Sequence, residues 1–216
     1  VEPTQPGLVI EISKSAGVTI DHRVVSALPQ AGDIAALHAV TAQVHALPNR
    51  GARAIVAIDA SLTFDVAFPV LEAVAAGGMT SIGLAALEQG VPVMVPLRIS
   101  PDPRNEPHAE VRRPPPLGLV LHVAAHELAL WSTSGLEGTR EKPRYKHPLD
   151  GNFAELTNVV ADIAKRRFAN QRHLDDNAII VIVDPEQTAQ VVLDTLAAVA
   201  VQFPDVQLRL GPFPRP

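Results

Sequence analysis

Two stretches of this sequence follow the same pattern of residues, and that repetition constrains the fold more than any other feature. The run Ile-Val-Ala-Ile-Asp at residues 55–59 is matched by Ile-Val-Ile-Val-Asp at residues 180–184, an offset of 125 positions. At the same offset, three later residues, Thr63, Val66 and Leu71, correspond to Thr188, Val191 and Leu196. A constant offset through a strand and the helix that follows it indicates an internal duplication.

The pattern around each copy predicts one supersecondary unit. In the first copy, alternating apolar residues at 8–12 and 18–20 flank a turn and predict a hairpin, and Asp33 can cap a helix that stops at Pro48. A strand at 53–58, a helix at 64–76 and a strand at 81–85 complete the unit. The second copy repeats this order with a hairpin at 118–131, a helix at 152–167, a strand at 178–183 and a closing strand containing Val206 and Leu208. We therefore expect the α/β (α+β) class, as tandem β-β-α-β-α-β units that each place two helices on one face of a small sheet in a two-layer sandwich.

A proline-rich segment divides the two copies. Residues 88–116 contain eight of the twenty prolines, which largely exclude helices and central strands. The predicted organisation is a first domain at residues 1–87, a connector at 88–116 of extended polyproline II type, and a second, diverged domain at 117–216.

Part of the connector alternates in a way that suits a strand. Five aliphatic residues, Val91, Val93, Val95, Leu97 and Ile99, alternate with Pro92, Met94, Pro96 and Arg98. Two interpretations are open: an edge strand that tolerates proline, or an extended linker that lies on a neighbouring surface. Because five exposed aliphatic residues would favour aggregation, we expect this segment to be ordered and to recognise a partner by strand addition.

Composition excludes several classes of protein. Apolar residues make up 47% of the chain and charged residues 19%, which is a globular composition, and the apolar runs are too short to span a bilayer. The net charge of −5, with scattered lysine and arginine, argues against a nucleic-acid partner. The absence of cysteine removes disulfides and thiolate chemistry.

The candidates for chemistry are few. Asp59 and Asp184 each follow a strand that leads into a helix. A carboxylate at this position either takes part in catalysis or accepts hydrogen bonds from backbone N–H groups of the turn, and we favour the second role. His122, His126 and Glu127 could in principle hold zinc, although a turn falls between the two histidines. Phosphate-binding glycine loops and nucleophile elbows are missing from the sequence, so we expect no cofactor and no enzymatic activity. A soluble hydrolase or metal enzyme remains the alternative.

One set of residues in the first copy resembles a known family. These are Asp59 at a strand end, Phe64 five residues later, the helix centre Val70-Leu71-Glu72, Gly78, and the closing Ile82-Gly83-Leu84. Together with the preceding hairpin they resemble the periplasmic domain of the ExbD/TolR family of biopolymer-transport proteins, over residues 7–87. Phe64 stands where that family usually has tyrosine. The second copy keeps Asp184 but has Ala189 and Phe203 at the aromatic and glycine positions, so it resembles a diverged copy.

The resemblance implies a role and a set of partners. Family members are stator subunits anchored in the inner membrane by an N-terminal helix. Because Val1 lies in what resembles the linker after that helix, we expect the anchor to be absent from this chain and to precede it in the full-length protein. The expected partners are an ExbB/TolQ-like channel subunit and either peptidoglycan or a TonB/TolA-like transducer in the periplasm, and homodimers are expected. A structural cell-envelope protein without energy coupling is a further alternative. Besides Val91, Val93, Val95 and Leu97, the expected partner-contact residues are Asp59 and Phe64. We also expect the two copies to pack as a pseudo-twofold pair.

Overall fold

A computed structural model gives the fold of the chain. It describes residues 8–30, 33–47, 53–79, 81–87, 97–99, 117–168 and 178–211. These residues form eleven strands and four helices, arranged in two mixed sheets. None of the described helices combines the length and the apolar character needed to cross a bilayer.

The first repeat contains one five-stranded sheet and two helices. Its elements are β1 (Leu8–Ser13), β2 (Gly17–Ile20), β3 (Arg23–Ser26), α1 (Ile34–Ala46), β4 (Arg53–Ile58), α2 (Phe64–Ala76) and β5 (Ser81–Ala86). The strand order is β3-β2-β1-β4-β5, with β1, β4 and β5 parallel and the other pairs antiparallel. The side chain of Asp33 accepts a hydrogen bond from the Ala36 N–H at 3.1 Å, so it caps α1 as the sequence predicts.

The second repeat has the same order and one strand more. Its elements are β7 (Leu119–Val123), β8 (Glu127–Ser132), β9 (Tyr145–Pro148), α3 (Ala154–Phe168), β10 (Ala178–Val183), α4 (Ala189–Ala200) and β11 (Asp205–Leu210). The additional strand, β6 (Leu97–Ile99), comes from the connector and pairs in parallel with β11. The strand order is therefore β6-β11-β10-β7-β8-β9.

The predicted fold class is confirmed, with one strand more in each repeat than the sequence indicates. The hairpin continues into β3 in the first repeat and into β9 in the second, so each unit is β-β-β-α-β-α-β. Both added strands are four residues long, and β9 contains Lys146, His147 and Pro148 in place of an apolar alternation. Such short strands show almost no alternation of apolar and polar residues, because they form by hydrogen bonding to a neighbouring strand and bury little of their own surface.

The two repeats share one hydrophobic core. Alternate residues of the central strands face the helices, and fully buried members such as Ile12, Val56, Leu121 and Val181 belong to the same cluster. The cluster includes residues of all four helices. Because a continuous core joins both repeats, neither buries its apolar surface independently of the other.

Candidate functional site

The repeats meet where two equivalent loops pair, at residues 59–65 and 184–190, which we call the junction. Thr63 and Thr188, which are 125 positions apart in sequence, face each other as an antiparallel bridge. Four backbone hydrogen bonds flank the bridge: Phe64 N–H to Gln187 C=O at 2.7 Å, Ala189 N–H to Leu62 C=O at 2.8 Å, Asp65 N–H to Pro185 C=O at 2.9 Å, and Gln190 N–H to Ala60 C=O at 3.2 Å. Each bond has a counterpart at the offset of 125. The expectation of a packed pseudo-twofold pair is confirmed.

The junction satisfies groups that every helix leaves unpaired. The first N–H groups of an α-helix have no partner within the helix. Here the donors are the first two residues of α2, Phe64 and Asp65, and of α4, Ala189 and Gln190, and the acceptors are carbonyl groups of the opposite repeat. Each repeat therefore caps a helix of the other, which explains why the loops that begin with Asp59 and Asp184 share one pattern.

Asp59 lies at the carboxyl end of β4 and organises its own loop. Its carboxylate accepts hydrogen bonds from the Ser61 N–H at 3.0 Å and from the Ser61 hydroxyl at 2.7 Å. These two bonds, chiefly that from the hydroxyl, hold the pKa of Asp59 below its ordinary value. The arrangement is the turn geometry that the sequence favours for this residue.

Asp184 makes different contacts from its counterpart. One carboxylate oxygen lies 2.9 Å from Nε2 of His122 on β7, and the other accepts the Ala125 N–H at 3.2 Å. Both side chains of the His122–Asp184 pair are partly buried. Asp184 therefore joins β10 to the β7–β8 turn. Within the part of the chain that the structure describes, no cluster of three or more histidine, cysteine, aspartate or glutamate residues is suited to a metal.

Phe64 is a core residue at the start of α2. Its side chain has no solvent exposure, and its ring centroid lies 5.6 Å from that of Phe68. Phe64 was expected to contact a partner, but its side chain lies entirely inside the protein. Its backbone N–H contacts the second repeat across the junction.

The structure describes the alternating connector segment at residues 97–99. Leu97, Arg98 and Ile99 pair in parallel with Val206, Gln207 and Leu208 of β11. For these three residues the edge-strand interpretation is correct. The other expected contact residues of the segment, Val91, Val93 and Val95, lie outside the described residues.

We expect the backbone amides of β6 to be protected from hydrogen exchange. A ladder with β11 should slow exchange at those amides of Leu97, Arg98 and Ile99 that donate to it. Exchange measured by NMR should be slower there than in a synthetic peptide of residues 88–116. Rates equal to those of the free peptide at all three amides would show that β6 is not stably paired.

Glu72, the acidic residue of the family-like helix centre, should make stability depend on pH. Burial raises the pKa of Glu72, so the native state keeps a proton that the unfolded state has already lost. The free energy of unfolding should therefore fall as pH rises from the ordinary carboxyl range through the raised pKa of Glu72. Urea unfolding of Glu72→Gln across this range should lack that decrease, and Glu186→Gln, at an exposed position, should keep it. Parallel profiles for Glu72→Gln and the unmodified chain would contradict this assignment.

A buried carboxylate in the second repeat was not found by sequence analysis. The Glu137 side chain, in the β8–β9 loop, is 1% exposed. It accepts two hydrogen bonds from Arg166, at 3.2 and 3.0 Å, and one from Arg167 at 3.0 Å. Arg166 also contacts Asp162, with 3.1 Å between Nη2 and the carboxylate. The one feature of the sequence that could have indicated this site is the Lys-Arg-Arg run near the end of α3. Its spacing does not indicate that the arginines pair with Glu137, almost thirty residues earlier in the chain.

Comparisons with known proteins add no relative. No protein-family model matches the sequence, and neither the curated proteins nor the solved structures contain a match. The resemblance described above therefore rests on the residues of the first repeat alone.

Proposed function

We propose that this chain is the periplasmic interaction module of a membrane-anchored stator subunit, in an envelope complex driven by the proton motive force. The module would contact a TonB/TolA-like transducer or peptidoglycan, while an ExbB/TolQ-like channel subunit would engage the membrane anchor. The support is the ExbD/TolR-like order of residues from Asp59 to Leu84, which spans the end of β4, α2 and most of β5.

The observation that carries the proposal is the reciprocal capping at the junction. A part that transmits force between two layers of the envelope must resist separation of its halves. Four interrepeat hydrogen bonds and a shared core provide that resistance within one chain. Members of the family are expected to obtain a pair of such domains by dimerisation, whereas this chain encodes the pair.

One edge of the first sheet is a suitable contact for an extended partner segment. Among the described strands β3 pairs with β2 alone, and its Val24 is 68% exposed. The equivalent edge strand of the second repeat, β9, contains Pro148 and Lys146, and the Lys146 ammonium lies 3.1 Å from the carboxylate of Glu127 on β8. Proline and lysine are the residues that natural edge strands use to prevent further pairing. The contrast favours β3 as the edge that accepts a transducer strand.

The test is a binding measurement with the purified chain. Titration with the periplasmic domain of a TonB/TolA-like transducer, and cosedimentation with peptidoglycan sacculi, should show that the chain binds at least one of them. If the transducer binds at β3, Val24→Asp should weaken that binding about tenfold, whereas Val201→Asp should have no effect, because Val201 is 81% exposed but lies after α4. Equal affinities for the two variants would exclude the β3 edge. A folded chain that binds neither partner would contradict the proposed function.

The second candidate function, a hydrolase, has one observation in its favour. His122 and Asp184 lie 2.9 Å apart at the carboxyl ends of parallel strands, an arrangement that orients a histidine for general-base catalysis. Hydrolysis of small activated esters by the chain, abolished by His122→Ala and retained in Asp59→Asn, would favour this candidate. The stator proposal predicts that His122→Ala leaves such hydrolysis at the background rate.

A further inference from the structure

Three arginines surround the buried carboxylate of Glu137. Arg166 and Arg167 donate hydrogen bonds to it, and Nε of a third arginine, Arg144, lies 4.0 Å from the same carboxylate. A second acid, Asp162, lies 3.5 Å from Nη2 of Arg144. We call these three arginines and two acids the arginine cluster. Its members belong to the β8–β9 loop and to α3, so one loop and one helix hold the whole cluster.

The burial of Glu137 does not require three arginines. Arg166 alone makes a bidentate pair with the carboxylate, which is the strongest geometry for such an ion pair. Three guanidinium groups around two carboxylates bring like charges together, and this costs free energy. Nε of Arg167 is also buried, with no hydrogen-bond partner within the described part of the chain. Proteins keep such costly arrangements mainly at functional sites.

The arginine cluster presents its excess positive charge to solvent. The Glu137 side chain is 1% exposed, whereas the side chains of Arg144, Arg166 and Arg167 are 50%, 44% and 26% exposed. The buried carboxylate therefore holds the guanidinium groups in place from beneath. An ordered guanidinium group presents N–H donors in a planar fork that matches a carboxylate. The cluster is thus pre-organised to receive further carboxylates from outside.

The surface around the arginine cluster extends the positive charge. Further exposed charged residues lie in the same loop and near the end of the same helix: Arg140, Glu141, Lys142 and Lys165. With the cluster they amount to six cations and three carboxylates, a net charge of +3 on a chain whose net charge is −5. Leu136, which precedes Glu137 in the loop, is 56% exposed and adds an apolar side chain. We call this whole surface the basic patch.

The charge of the rest of the chain indicates the kind of partner. Outside the basic patch, which carries +3 of the total of −5, the chain carries −8. An extended anionic surface such as a bilayer would face this negative remainder as well as the patch and would be repelled by it. A short acidic polypeptide segment contacts the patch alone. Its carboxylates match the guanidinium groups, and an apolar residue among them would pack against Leu136.

The basic patch lies at the end of the second sheet opposite the junction. The Thr133 N–H donates to the Gly118 C=O at 2.8 Å, and the Ser134 hydroxyl donates to the Leu117 C=O at 3.0 Å. These bonds place the β8–β9 loop beside the start of β7. The junction follows the end of β10, which runs parallel to β7. The patch is therefore distinct from the junction, and β3 belongs to the other repeat.

We propose that the basic patch is a docking site for an acidic polypeptide segment that carries at least two carboxylates and an apolar residue. The carboxylates of the segment pair with the guanidinium groups of the arginine cluster, which Glu137 holds in position. This proposal is independent of the stator function.

Fluorescence anisotropy with two labelled peptides tests the proposal. A fluorescein-labelled peptide Glu-Glu-Leu-Glu-Glu should bind the purified chain, and the uncharged peptide Gln-Gln-Leu-Gln-Gln of the same shape should not. Binding should weaken several-fold between about 50 and about 200 mM salt, because salt screens exposed charges. Equal binding of the two peptides, or binding of neither, would overturn the proposal.

A single substitution tests whether the arginine cluster is the site. Arg144→Ala should weaken binding of the acidic peptide several-fold and leave the circular dichroism unchanged, because Arg144 is the most exposed arginine of the cluster. The matched control is Arg23→Ala, which removes an exposed arginine on β3 and should leave the affinity unchanged. Equal losses in the two variants would show that only overall charge matters, and this would overturn the proposal.

Two further measurements distinguish other occupants of the basic patch. Cosedimentation of the chain with phosphatidylglycerol vesicles, lost in Arg144→Ala, would identify an anionic membrane as the partner. Self-association in sedimentation velocity, lost in the same variant, would identify a second copy of the chain. The proposal predicts neither result, and either would overturn it.

Discussion

Replacing Phe64 with alanine should lower the free energy of unfolding by about 3–5 kcal/mol, the cost of removing a fully buried phenyl ring. The ring has no exposure and contacts Phe68 at a centroid distance of 5.6 Å, so little of the resulting cavity can be refilled by solvent-facing groups. Urea unfolding followed by circular dichroism measures the change. Because one core serves both repeats, the variant should still unfold in a single transition.

The control for this substitution is Val24→Ala on the exposed edge strand. Val24 is 68% exposed, so the free energy of unfolding should change by less than about 0.5 kcal/mol. If Phe64→Ala were no more damaging than this control, Phe64 would not lie in the core. If Phe64→Ala instead split unfolding into two transitions with the second repeat unaffected, the shared core would be contradicted.

Glu137→Ala should cost about 3 kcal/mol of stability, the lower end of the range for breaking a buried ion pair. The substitution removes the carboxylate that receives three hydrogen bonds from Arg166 and Arg167. The expected loss is near the lower limit because the side chains of Arg166 and Arg167 are 44% and 26% exposed, so water can solvate their guanidinium groups once the carboxylate is removed. The midpoint of urea unfolding gives the measurement.

A neighbouring glutamate provides the matched comparison. Glu141 lies in the same loop but is exposed, so Glu141→Ala should leave the unfolding midpoint nearly unchanged. Glu137→Gln keeps the shape of the side chain without its charge and should be intermediate. Equal stability of Glu137→Ala and Glu141→Ala would mean that the ion pairs do not hold the loop on α3.

The strongly periodic elements could be predicted from the sequence. α2 runs from Phe64 to Ala76 and β10 from Ala178 to Val183, as the apolar spacing indicates, because both bury a regular face in the core. β3 and β9 could not be predicted, since each is a short outer strand defined by pairing with one neighbour. Local sequence contains no information about such a neighbour.

The candidate site was predictable only in part. The offset of 125 located both loops of the junction, but the reciprocal hydrogen bonds join backbone atoms, which leave no trace in residue type. The pairing of Asp184 with His122 likewise depends on the register of β7 against β10, in which Ile182 lies beside His122. Register follows from the assembled sheet, whereas periodicity shows only which faces are apolar.

The most direct test of the proposed function is crosslinking in living cells. A photoreactive amino acid in place of Val24 in the full-length protein should form an adduct with a TonB/TolA-like transducer, and a protonophore that collapses the proton motive force should change the yield of that adduct. Val201 is the matched control position and should give no adduct. The account predicts a Val24 adduct whose yield depends on the proton motive force. Absence of an adduct with either a transducer or peptidoglycan, or a yield indifferent to the protonophore, would contradict it.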